Sequence, residues 1–190
     1  MRIVGGSRRG RKLAAPSGRA LRPTSERARE ALFNILTHRD LGPVSLRHAR
    51  VIDLYAGTGA LGLEALSRGA GELIAVERDR AALGTLHRNI RTLDFEDEAR
   101  VIEGDATHLR PAGAREGERD FAFLDPPYDE AVAPDALKSL ADGGWLRPGA
   151  IAIVELGRKG DFLQPEGFSV LDDRTYGAAR IVILRWAAKD

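Results

Sequence analysis

Between Val51 and Glu77 the chain leaves its fold few alternatives. Val51-Ile52-Asp53-Leu54-Tyr55 is a β-branched and aromatic run, followed at once by Ala56-Gly57-Thr58-Gly59-Ala60-Leu61-Gly62 and the helix-forming Leu63-Glu64-Ala65-Leu66-Ser67-Arg68-Gly69. Strand, glycine turn and helix come in that order. Without side chains at Gly57 and Gly59 the backbone can approach a ligand closely, and the free N–H groups of the next helix point at the same spot. A second strand, Glu72-Leu73-Ile74-Ala75-Val76-Glu77, ends in a carboxylate about 20 residues beyond the glycines, where an acidic side chain meets ribose hydroxyls. The pattern predicts a βαβ unit that binds a nucleoside.

Gly57-x-Gly59-x-x-Gly62 also satisfies the dinucleotide fingerprint of dehydrogenases, so the turn by itself does not choose the nucleoside. Two further features favour S-adenosylmethionine. A carboxylate at Asp53, inside the strand before the turn, would repel a pyrophosphate but can hold the methionine ammonium, directly or through water. The other is Asp125-Pro126-Pro127-Tyr128, closing the apolar run Asp120-Phe121-Ala122-Phe123-Leu124.

That tetrad reads as a buried strand stopping abruptly, since neither proline has an N–H to continue a ladder. The Asp125 carboxylate and the Pro126 carbonyl can accept hydrogen bonds from an amino group, and Tyr128 offers a face for a planar base. Asp125, Pro126, Pro127 and Tyr128 are therefore the candidate catalytic residues for methylating an exocyclic amine. The plainer alternative is a turn covered by a tyrosine.

Arg100-Val101-Ile102-Glu103-Gly104-Asp105-Ala106 is a third apolar strand ending in an acid. Asp105 suits either the amino group of an adenine or the N-cap of a turn beginning at Ala106. Asp53, Gly57, Gly59, Glu77 and Asp105, with their chain neighbours Tyr55, Arg78 and Ala106, make up the candidate cofactor set.

Composition narrows the class. A chain of 190 residues can bury one sizeable core but hardly two domains with linkers. It has no cysteine, which excludes disulfides and thiolate metal sites, and His38, His48, His87 and His108 lack ligand spacing, so no metal is expected. No apolar stretch reaches the roughly 20 residues of a membrane span, and Met1-Arg2-Ile3-Val4-Gly5-Gly6 lacks the apolar core of a signal peptide, so a soluble, cytoplasmic protein is expected. A monomer is a separate expectation, which the sequence does not derive. The net charge of +1 conceals a division. Residues 1–50 hold twelve Lys or Arg and three acids, whereas residues 51–190 hold seventeen and twenty-five. Such asymmetry points to a polyanion at one end, and Arg8, Arg9, Arg11, Lys12, Arg22 and Arg27 are the candidate nucleic-acid contacts, with Arg29 nearby. A solvated arm without a partner is the alternative.

The chain divides into a basic N-terminal arm over 1–22 and a catalytic domain over 23–190. Arg2-Ile3-Val4 and Lys12-Leu13-Ala14 can pair as a hairpin displaying the arginines. Glu26 to Leu36 reads as a helix capped by Thr24 or Ser25, docking through Ala28, Leu32, Ile35 and Leu36. Strands are expected near 51–55, 72–77, 100–103, 119–125, 150–156, 168–173 and 180–186, with helices near 60–68, 79–93 and 130–142. This alternation predicts an α/β fold: a mostly parallel seven-stranded sheet covered on both faces, with an antiparallel hairpin turning at Tyr176-Gly177 on one edge. Residues 111–119 and 157–167 are expected to be mobile loops.

The chain as a whole resembles the RsmD family of bacterial methyltransferases. The likeness lies in Arg2-Ile3-Val4-Gly5-Gly6, Arg9-Gly10-Arg11-Lys12-Leu13, Leu21-Arg22-Pro23-Thr24, Arg29-Glu30-Ala31-Leu32-Phe33-Asn34-Ile35-Leu36, the run Asp53 to Ala70, and Asp125-Pro126-Pro127-Tyr128. Tyr55 and Thr58 stand where the family more often has Phe and Ser. The resemblance implies a Rossmann-like class I methyltransferase fold, S-adenosylmethionine as cofactor, and methylation of the N2 amine of one guanine in 16S ribosomal RNA within the small subunit or its assembly intermediate. A DNA adenine-N6 methylase would use the same tetrad but needs a target-recognition region. A nicotinamide oxidoreductase would share the glycines but leave the tetrad and the arm without a role. A non-catalytic RNA-binding module would account for the charge alone.

Overall fold

Val51, Ile52 and Leu54 alternate with no polar face, as do Leu73, Ile74 and Val76, and such strands are stable only with both faces covered. The computed structural model, which describes residues 1–15, 26–126, 132–158 and 162–187, places them at the centre of one sheet. Its elements are α1 (Glu26–His38), β1 (Arg50–Leu54), α2 (Ala60–Ser67), β2 (Glu72–Glu77), α3 (Arg80–Thr92), β3 (Ala99–Glu103), β4 (Arg119–Leu124), α4 (Val132–Asp142), β5 (Leu146–Gly157), β6 (Phe168–Tyr176) and β7 (Ala179–Trp186). The strand order is β3-β2-β1-β4-β5-β7-β6. β3, β2, β1, β4 and β5 run parallel, and β7 and β6 add antiparallel at one edge. The expected sheet, with its edge hairpin, is the one observed.

Alternation sorts the strand residues into two cores. Val51, Leu73, Phe121, Phe123, Ile151 and Ile153 meet α1, α2 and α3 through Leu32, Phe33, Leu63, Leu66, Leu86 and Ile90. Ile52, Ile74, Ala122, Leu124, Ala152 and Val154 meet α4 through Ala133, Ala136, Leu137 and Leu140 on the other face. Phe33, absent from the predicted docking face, packs against Phe123 with ring centroids 5.5 Å apart, an arrangement that contributes about 0.5–1.5 kcal/mol beyond area burial.

The N-terminal segment is part of this core. Arg2 and Lys12 form an antiparallel bridge, so the predicted pairing exists, and Ile3 and Leu13 are buried among the α1–α2 residues. Gly6 makes the docking possible. A Cβ there would lie 1.8 Å from the Ser67 carbonyl oxygen, so only glycine admits this approach to α2. The arm boundary at 22/23 and the Thr24 or Ser25 cap fall outside the described residues.

Three expectations need correction. Arg29 does not face solvent: it is fully buried, 3.7 Å from the Glu64 carboxylate, because helical periodicity puts it beside Ala28, Leu32 and Phe33 on the inward face. The segment 111–119 is a packed connection rather than a mobile loop. Glu116 is buried there and pairs with Arg100 at 2.6 Å and with Arg110 at 2.7 Å, while Arg119 opens β4 fully buried against Glu72. The fifth strand begins at Leu146, earlier than expected, because its register shifts across the irregularity opposite Arg119 and Phe121.

Candidate active site

The parallel strands end on one edge, and the order reverses between β1 and β4, the switch point outside which sheets of this class hold their ligands in a crevice. The glycine turn after β1 is held from below. Ala56 donates to the Val76 carbonyl at 3.0 Å, Gly59 to the Ala56 carbonyl at 2.7 Å, and Gly57 to Glu77 Oε2 at 2.8 Å. The other Glu77 oxygen accepts from the Arg78 and Asp79 N–H groups, both at 2.8 Å. Three backbone donors thus fix the carboxylate, with acceptor capacity left for a ligand hydroxyl. Above Gly57 lies open space, since a Cβ there would meet only the Tyr55 carbonyl, 3.8 Å away. A ligand can therefore approach the backbone closely at Gly57.

Asp53 sits beneath the turn, 2% exposed, and accepts from the Gly62 N–H at 2.8 Å. Burial pushes its carboxyl up to about 7, with the Gly62 hydrogen bond opposing and the nearby Glu77 charge adding to the rise. Its observed contact is a brace from β1 to the first turn of α2, which the strand pattern alone did not foretell.

Asp105 realises the capping alternative. Its Oδ1 accepts from the Thr107 N–H at 2.9 Å and the Thr107 hydroxyl at 2.7 Å, closing a short 3-10 turn over Ala106–His108, while Oδ2 meets Arg78 at 3.0 Å. These Thr107 bonds, followed by Arg78, hold the carboxyl below its ordinary value. Arg78 is mostly exposed, and Ala106 is buried under the turn. Tyr55 follows β1 with φ +58°, and its hydroxyl is buried without a hydrogen-bond partner among the described residues. Burial first, then the Asp105 charge, pushes that hydroxyl up to about 12. A neutral, orphaned hydroxyl at the crevice is a group that a ligand can satisfy.

Asp125 and Pro126 follow β4 directly. Register pairs Leu54 with Leu124, so Asp125 comes next to Tyr55 where the two strands end, and both Asp125 and Pro126 are half-buried. Pro127 and Tyr128 lie outside the described residues, as does Arg22.

The basic residues separate into two groups. Arg8 is drawn onto α3, donating to the Leu93 carbonyl at 2.7 Å with its guanidinium 5.1 Å from the Phe95 ring centroid, and Arg11 donates to the Thr92 carbonyl. The hairpin therefore does not display these two freely. Arg9, Lys12 and Arg27 are exposed, and Arg9 and Arg27 line a groove of about 300 Å³ with Arg2, Val4, Glu26 and Glu30. The hairpin tip docks at Ser67 and Leu93, at the C-terminal ends of α2 and α3, whereas the glycine turn lies at the N-terminal end of α2. An eight-residue helix spans about 12 Å, so the hairpin tip and the glycine turn are roughly that far apart along α2, whereas Ala14 farther along the arm comes within one side chain of Thr58 through Asn89.

Two groups escaped the sequence reading. Glu64 is fully buried, accepts from the Val4 N–H at 2.8 Å and pairs with Arg68 at 2.7 Å as well as with Arg29. Asn89 is 1% exposed and bonded to both Ala14 and Thr58. The available signal was a polar residue inside an apolar helical stripe, at Asn89 between Leu86, Ile90 and Leu93. Among the described residues no cluster of His, Asp and Glu could hold a metal ion, and all four histidines are exposed.

Comparison with known proteins agrees with this arrangement. The chain is 41% identical over 156 residues to the "Ribosomal RNA small subunit methyltransferase D" of Escherichia coli, covering 82% of this chain and 74% of that one. The protein of the same name from Haemophilus influenzae is 34% identical over 178 residues, 93% of this chain and 89% of its own. The solved structure of the Escherichia coli protein yhhF matches with a TM-score of 0.84 at 35% identity, covering 100% of this chain and 99% of the other. The family model described as "Conserved hypothetical protein 95" matches residues 1–185, and the chain belongs to that family, the RsmD family its sequence resembles.

Proposed function

We propose that this protein uses S-adenosylmethionine to methylate the N2 amine of a guanine in 16S ribosomal RNA, within the small subunit or an assembly intermediate in the cytoplasm. The observation that carries this reading is the placement of Asp125 and Pro126 at the end of β4, beside Tyr55 and one strand from the Glu77-braced turn. An amine-gripping corner and a nucleoside cradle then open on the same crevice. The names of the relatives supply the class of RNA.

When bound, the cofactor supplies an electrophilic methyl group on a sulfonium. The residues present fit it: the Glu77 carboxylate for ribose hydroxyls, the space over Gly57 for the methionine portion, the Asp105 region for adenine, and Asp53 beneath the turn for an ammonium, through water given its burial. The guanine N2 lone pair is delocalised into the ring. Hydrogen bonds from its two N–H groups to the Asp125 carboxylate and the Pro126 carbonyl bend the amine out of conjugation and aim the lone pair. Asp125, which would already accept from one of the two N–H groups, would also take the proton that the amine releases. Positioning of this kind can contribute about 7–11 kcal/mol of barrier lowering. Tyr128 stacks on the extruded base, worth roughly 1–3 kcal/mol.

The test uses small subunits from a bacterium lacking its own enzyme of this type. Wild-type protein is expected to transfer a methyl group that mass spectrometry maps to guanine N2, and Asp125→Ala to lose transfer while still binding S-adenosylhomocysteine. Wild-type turnover by the variant, or preferential methylation of duplex DNA, would end the assignment.

A further inference from the structure

We propose that Asn89 is a positioning residue that couples the N-terminal arm to the glycine turn, so that RNA on the arm and cofactor in the crevice bind cooperatively. The proposal rests on the reading of the crevice as a cofactor site.

The carboxamide of Asn89 lies inside the protein between two backbone segments far apart in sequence. Its Oδ1 accepts from the Ala14 N–H at 2.8 Å, and its Nδ2 donates to the Ala14 carbonyl at 3.1 Å and to the Thr58 carbonyl at 2.9 Å. Both amide donors are thereby used, and the orientation is unambiguous, because a flipped amide would set its oxygen against two carbonyls. At Ala14 the side chain holds N–H and C=O together, as a neighbouring strand would. At Thr58 it holds one end of the Thr58–Gly59 peptide, whose other end, the Gly59 N–H, donates to the Ala56 carbonyl at 2.7 Å. A single side chain thus sets the plane of a peptide in the cofactor turn and the path of the arm.

That path is directional. Arg8 and Arg11 tether the arm at the C-terminal end of α3, on Leu93 and Thr92, and Ala14 is caught earlier on the same helix, at Asn89, nearer the glycine turn. Pull on Arg9 or Lys12 by a phosphate backbone therefore reaches Ala14, Asn89 and the Thr58–Gly59 peptide through consecutive bonds. Cofactor seated on that peptide acts in the reverse direction, and the two effects must be equal.

The experiment measures S-adenosylhomocysteine affinity with and without saturating unmethylated small subunits, in wild type, Asn89→Ala, Asn89→Asp and Ala14→Pro. Thermal unfolding accompanies each as the control for folding. Ala14→Pro removes the N–H that Asn89 Oδ1 accepts and leaves Asn89 and Thr58 unsubstituted; it also fixes φ at residue 14 and restricts the buried Leu13, a cost that the melting temperature reads. Wild type is expected to gain about 5-fold or more in affinity when the subunit is present, within the usual range of coupling. Ala14→Pro should keep the free-enzyme affinity and lose that gain, and the two Asn89 variants should lose both. A merely structural role would lower the melting temperature and leave the ratio unchanged. Absence of a gain in wild type, or its full retention in folded Ala14→Pro, overturns the coupling. Failure of wild type to bind S-adenosylhomocysteine at all would instead overturn the cofactor site on which the proposal rests.

Discussion

Gly57 donates its N–H to the Glu77 carboxylate at 2.8 Å, tying the start of the glycine turn to the end of the neighbouring strand. The residue proposed to hold ribose is thus also a brace, oriented before any ligand arrives. Glu77→Ala removes a charged acceptor from three backbone donors, and hydrogen bonds to charged groups are each worth about 1.5–3 kcal/mol. S-adenosylmethionine affinity should fall by roughly 10- to 100-fold, as calorimetry would show, with a smaller loss for Glu77→Gln, whose oxygen can still accept from Gly57. Unchanged affinity in both variants would remove Glu77 from the site.

Asp53 makes stability depend on pH in the direction opposite to most carboxylates. An unfolded aspartate titrates near 4 and the folded one at about 7, so the native state holds the proton more tightly. The associated stability is complete below about pH 4 and is lost as pH rises to about 7. Asp53→Asn keeps an oxygen for the Gly62 N–H and carries no charge. Its stability relative to wild type, from urea midpoints, should therefore improve between pH 4 and 7 and then level off. Parallel profiles would show that burial does not shift Asp53.

Glu64 closes a buried ion cluster against Arg29 and Arg68 and accepts from Val4. Removing one partner leaves the fully buried Arg29 guanidinium uncompensated, and burial already pushes its protonation equilibrium down. Glu64→Ala should cost about 3–5 kcal/mol in denaturant unfolding. Glu64→Gln should cost less, since the amide oxygen can still accept from Val4, and a loss below about 1 kcal/mol in both would mean that water reaches the cluster.

The two kinds of arginine in the arm should behave differently. Arg8→Ala forfeits the bond to Leu93 and the contact with Phe95 and should destabilise the fold by about 1–2 kcal/mol. Arg9→Ala and Arg27→Ala, both exposed, should change stability by less than about 0.5 kcal/mol. On subunit RNA they should instead shallow the salt dependence of log K by about 0.7–0.9 each if each meets one phosphate. An unaltered slope would place the RNA elsewhere.

Local pattern and tertiary packing contributed differently to what could be read in advance. Val51–Tyr55 followed by three glycines, Glu72–Glu77, and Asp120–Leu124 followed by two prolines are each governed by short-range rules of periodicity and backbone sterics, so strand, turn and helix positions came within a few residues of those observed. The buried positions of Arg29 and Glu116 were not readable, because single-residue chemistry counts both as surface groups and only packing supplied their partners. Asp105 could be read two ways, and the position of Thr107 after a tight turn supplied the cap through one carboxylate oxygen, which leaves the adenine reading a proposal.

By itself the sequence determined the alternating architecture, the glycine turn after β1 and the acids that close the parallel strands, because these depend on side-chain alternation and on which residues can enter a tight turn. Only the tertiary structure decided that the arm is woven into the core through Ile3, Leu13, Glu64 and Asn89, and that Arg8 and Arg11 serve as tethers. Contacts between Ala14, Thr58 and Asn89 span up to 75 residues of chain, and no local rule of propensity or spacing carries information over that distance.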